Sequence, residues 1–131
     1  MSEKDASHLS ARSWHFFLDD MGAFARDALS YTAGMDQAEF ECNSLVFDAT
    51  LRKLELIGEA ARNIPEAVRS LAPGIPWRQI IATRNRIVHV YLGIDNDTIW
   101  SIVRDDLPGL IDDLEALKLK LASDGLMPKS A

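Results

Sequence analysis

A chain of 131 residues holds one domain with a core of its own and is too short for two. Apolar residues make up 47% and charged residues 26%, ordinary for a globular protein, while a net charge of −6 argues against a protein that binds nucleic acid through overall basic composition. The lone Cys42 excludes a disulfide framework and a cysteine-based zinc site within one chain. The opening Met-Ser-Glu-Lys-Asp has no apolar signal core, and no run reaches the ~18 apolar residues of a membrane span, so the expected location is cytoplasmic, without membrane contact.

Residues 1–6 are polar and expected to be disordered. A helix capped by Ser7 or Ser10 then carries Trp14, Phe17, Leu18, Met21, Phe24, Ala25 and Ala28 at the spacing of an amphipathic stripe, and Gly34 can close it in a left-handed cap. His8 and His15 lie on this helix without any metal-motif spacing and read as surface residues. Asp36 and Glu39 have capping-box spacing for a short helical turn. A second long helix is expected from Ser44 to Asn63, with Phe47, Leu51, Leu54, Gly58 and Ala61 in its stripe and Ile57 and Ile64 alongside. Gly58 costs about 1 kcal/mol against alanine in a helix interior, and a closely approaching helix is one way to offset that. Arg52, Glu55, Glu59 and Arg62 form a polar stripe on the other side. They make either a self-paired solvated face or, for Glu55 and Glu59, a second layer that orients arginines elsewhere.

Pro65 and Pro76 each stand at the first turn of a further helix. The second of these carries Trp77, Ile80, Ile81, Arg84, Val88 and Tyr91 and is expected to end near Gly93. Asp95 and Asp97 can cap a helix bearing Ile99, Trp100, Val103 and Leu107. Pro108 is expected to interrupt that helix and begin another with Leu110, Ile111, Leu114, Leu117 and Leu121, and residues 123–131 are expected to be disordered. Trp14, Trp77 and Trp100 read as core. No β pattern competes, so the expected fold is all-α: one domain, an up-and-down bundle of four to five helices.

Charge is unevenly placed. Arg52 to Arg86 holds seven basic and three acidic residues, and Asp95 to Glu115 holds seven acidic and one basic. A basic patch can bind phosphate on an acidic protein because screening limits distant charges to roughly 10 Å. Within that patch lies Arg84-Asn85-Arg86-Ile-Val-His89-Val-Tyr91. Arg84 offers a permanently charged planar fork for phosphate, and His89 can exchange a proton near neutrality. Asn85 can fix an imidazole or a phosphate, Arg86 adds a cation, and Tyr91 can donate to phosphate or be modified on its hydroxyl. RNA carries its own nucleophile, the 2′-OH, so its cleavage needs only a base, an acid and a cation, with no metal or other cofactor. An ideal helix sets Arg84 and His89 about 140° apart. Either the helix distorts near its end, or two copies present the motif across one groove. The bland alternative is that Arg84 and His89 only cap a helix end.

Ile57-Gly-Glu-Ala-Ala61, Ile75-Pro-Trp77, Arg84-Asn85, His89-x-Tyr91 and Trp100…Asp106-Leu-Pro108 resemble the HepT-like family of HEPN domains, over residues 11 to 121 or so. The resemblance implies a HEPN-like bundle that forms a homodimer, with both motifs facing one cleft. It implies a metal-independent endoribonuclease acting as the toxin of a toxin–antitoxin pair, with Arg84 and His89 catalytic. It also implies a partner, a minimal nucleotidyltransferase antitoxin that transfers AMP to Tyr91. The competing expectation is a non-catalytic helical subunit that binds a nucleotidyltransferase and nucleotide or RNA without cutting.

Overall fold

A computed structural model describes residues 3–89 and 94–126, with side chains from Trp14 onward. The described residues form helices and connecting turns, with no strand. Helix α1 runs Glu3–Tyr31, α2 Gln37–Cys42, α3 Ser44–Arg62, α4 Glu66–Arg69, α5 Trp77–Val88, α6 Asn96–Ser101 and α7 Leu107–Ser123, with a π-helical turn, Ile102–Asp106, joining the last two. Side-by-side packing runs α5 on α3, α3 on α1 and α1 on α7, the arrangement of an all-α bundle with short α2 and α4 as connectors.

The sequence pattern explains most of this. Leu18, Met21, Ala25 and Ala28 of α1 are fully buried against Leu54, Ile57 and Ala61 of α3 and Leu114, Leu117 and Leu121 of α7 in one core. Trp14 and Trp77 belong to it, and Trp77 satisfies its indole N–H on the Arg69 and Ala72 carbonyls at 3.2 and 3.1 Å. Trp100 is half-buried against Phe40. Asp36 and Glu39 form the expected capping box, Asn43 caps α3 through Val46 N–H, and Asp95 caps α6 through Thr98 N–H. Gly34, at φ 77°, makes the left-handed turn after α1.

Three boundaries differ from expectation. Helix α1 begins at Glu3, ahead of Ser7 and Ser10, so neither serine is its cap. Pro108 does not interrupt its helix: helical residues run without a gap from Asn96 to Ser123. Leu107 N–H bonds to Ile102 O, five residues back. The wider turn leaves Pro108 in the first turn of α7, where its missing N–H costs little. Helix α5 ends at Val88 rather than near Gly93, and His89 leaves helical geometry at φ −99° and ψ 57°. Val88, expected on the inner stripe, is exposed, and Ile87 is buried in its place. Trp77, Ile80, Ile81 and Arg84 are buried or half-buried as the spacing suggested, so the difference is confined to the last turn of α5.

Candidate active site

The contact between α3 and α5 positions Arg84. A Cβ built on Gly58 would fall 2.2 Å from Arg84 Cβ, 2.9 Å from its Cγ and 3.0 Å from the Ile80 carbonyl. Only a glycine lets the two helices come this close, so the expected reason for Gly58 is what the packing shows. The stem of Arg84 lies flat on α3, and its side chain is 23% exposed.

The head of Arg84 is held at its outer nitrogens. Nη2 lies 3.1 Å from Glu59 Oε2, and Nη1 donates to Asn85 Oδ1 at 3.1 Å. Nε is buried with no partner. An unpaired buried donor costs on the order of 1–3 kcal/mol, so this orientation is imposed by the helix contact and the outer bonds, not by local preference. The polar stripe on α3 is self-paired, Arg52 to Glu55 at 2.7 Å and Arg62 to Glu59 at 3.2 Å. Of its two acids Glu59 also reaches Arg84, while Glu55 is engaged by Arg52. The same Glu59 oxygen therefore carries two guanidinium groups.

His89 sits at the end of α5, exposed, with its backbone N–H on the Asn85 carbonyl at 3.2 Å. Asn85 is exposed beside Arg84. Arg86 is not brought to Arg84. It lies about 200° round the helix from it and lines a groove of ≈ 690 Å³ between α5 and α6–α7, opposite Asp97, Asp105, Asp106 and Asp113. Its charge helps hold the Asp95 carboxyl below its ordinary pKa, after the larger effect of hydrogen bonds from Thr98. Tyr91 lies outside the described residues. Arg62 was visible in the sequence only as a member of a paired stripe. No sequence spacing shows that its carboxylate partner is shared with Arg84.

The described residues thus form an all-α bundle in which an arginine is clamped on a helix contact and a histidine stands five residues later at the helix end. The ribonuclease HepT-like family matches residues 21–117, and the chain belongs to that family. It is 36% identical over 107 residues to "Putative RNase MJ1380" of Methanocaldococcus jannaschii, covering 82% of this chain and 98% of that protein. It is 34% identical over 107 residues to "Probable ribonuclease HepT" of Thermococcus cleftensis, covering 82% and 97%. No solved structure matches significantly. Among the described residues no helix is long and apolar enough to cross a membrane.

Proposed function

We propose that this chain is a metal-independent endoribonuclease, the toxin of a toxin–antitoxin pair, working as a homodimer. The observation that carries this reading is Arg84, ion-paired and buried along its stem, five residues before the exposed His89 at the end of α5. The ribonuclease family to which the chain belongs supports it. In the proposed reaction the 2′-oxygen bonds to the adjacent phosphorus as the bond from phosphorus to the 5′-oxygen breaks. One His89 takes the 2′-OH proton, and the His89 of a second copy gives a proton to the departing 5′-oxygen. Arg84 offsets the charge gathering on the phosphoryl oxygens, and Asn85 holds Arg84 or the phosphate. Glu59 is a positioning residue that acts through Arg84.

Silencing follows from the same chemistry. The antitoxin, a minimal nucleotidyltransferase, would join AMP to the Tyr91 hydroxyl, placing bulk and negative charge two residues from His89 and repelling the RNA backbone.

The test is cleavage of RNA by purified, unmodified protein. Activity should persist in chelator and disappear in His89→Ala and Arg84→Ala, with melting unchanged for the first. Protein that binds RNA and a nucleotidyltransferase but never cuts would replace this reading with that of a non-catalytic partner subunit. Intact mass after co-expression should show AMP adducts, absent from Tyr91→Phe.

A further inference from the structure

We infer that Arg62 is a second phosphate-binding residue, presented beside Arg84 by their shared carboxylate; this rests on the ribonuclease reading. Three observations point to it. Arg62 Nη1 and Arg84 Nη2 both approach Glu59 Oε2, at 3.2 and 3.1 Å. One oxygen atom thus fixes the two cations side by side, although Arg62 is on the last turn of α3 and Arg84 on α5. One carboxylate between two guanidinium groups leaves a net positive charge, on a chain whose overall charge is −6.

Exposure distinguishes the two cations. The Arg84 side chain is 23% exposed and its Nε is buried, whereas that of Arg62 is 48% exposed. Arg84 therefore presents a fixed edge, and Arg62 presents donors that remain in solvent. Stability does not explain the Arg62 pair, because exposed i,i+3 ion pairs contribute little to folding. A single-stranded polynucleotide whose reacting phosphate lies on Arg84 would meet Arg62 with a neighbouring phosphate. Arg62 would then set the direction in which the strand leaves the site. The ligand class is the RNA backbone, read by charge and not by base.

The test uses a 2′-O-methyl RNA oligonucleotide, which lacks the nucleophile and so reports binding without cleavage. Affinity is measured against salt concentration for the full-length protein, Arg62→Ala and Arg52→Ala. The last is a control for charge alone, since Arg52 is equally paired on α3, with Glu55. Arg62→Ala should weaken binding several-fold at low salt and flatten the slope of log affinity against log salt by ~0.7, the loss of one phosphate contact on a single strand. Arg52→Ala should leave the slope unchanged, Arg62→Lys should restore most of it, and all variants should melt together. If Arg62→Ala and Arg52→Ala behave alike while the parent protein binds, the assignment of Arg62 is wrong and the ribonuclease reading stands. If the parent neither binds nor cleaves RNA, both fall.

Discussion

Replacing Gly58 with alanine sets two known effects against each other. In a helix interior the change should gain about 1 kcal/mol of propensity. The added Cβ, however, would sit 2.2 Å from Arg84 Cβ and 3.0 Å from the Ile80 carbonyl oxygen. Carbon atoms settle at about 3.5–4.0 Å, so α5 must retreat from α3 by roughly 1.3 Å or more. Neither neighbour is the free end of a flexible side chain, so rotamer changes do not relieve the clash. Overpacking of this kind costs about 1–3 kcal/mol, at or beyond the propensity gain. The expected net result is a loss of up to ~2 kcal/mol, a fall in melting temperature of several degrees for a chain of this size. Activity should suffer more, since a displacement of about 1 Å can cost on the order of a hundredfold in rate. Urea melts and single-turnover RNA cleavage read the two effects separately. Arg84→Gly removes the opposing Cβ, so its stability cost should shrink in the Gly58→Ala background. A Gly58→Ala protein at least as stable as its parent, with cleavage intact, would show that α3 and α5 do not meet as described.

Thr50 is fully buried and its hydroxyl has no partner. Thr50→Val keeps the shape and removes the unpaired group, so it should stabilise by about 1 kcal/mol; a clear fall in melting temperature would contradict the burial. Asn43→Ala removes the side chain that accepts Val46 N–H at 3.1 Å and should cost about 1 kcal/mol in a denaturant melt, with Asn43→Ser recovering most of it. Hydrogen bonds from the Thr98 backbone and side chain hold Asp95 below its ordinary pKa. Its contribution is therefore complete above about 3.9, the unfolded value, and is lost as pH falls through the lower folded value. The stability advantage of the parent over Asp95→Asn should narrow below about pH 4; an advantage unchanged across that range would mean that the carboxylate is not favoured by folding.

The sequence alone was sufficient for the helical class, because a 3.6-residue apolar stripe in residues 14–28 and 110–121 has no competing β reading and local caps at Asp36 and Asp95 mark where helices start. The neighbourhood of Arg84 and Asn85 was also legible, since the two are adjacent in the chain. Pairing across helices was not. Whether Gly58 is a weakness or a contact, whether Glu55 or Glu59 meets Arg84, and whether Ile87 or Val88 turns inward at the end of α5 depend on interhelical distance and rotation. Those are set by the whole core and leave no fixed spacing along the chain. The ends of α5 and α6 are not written in the sequence for a related reason: the turn at His89 and the π turn before Pro108 are choices between backbone hydrogen bonds that differ little locally, and packing against the rest of the bundle tips them.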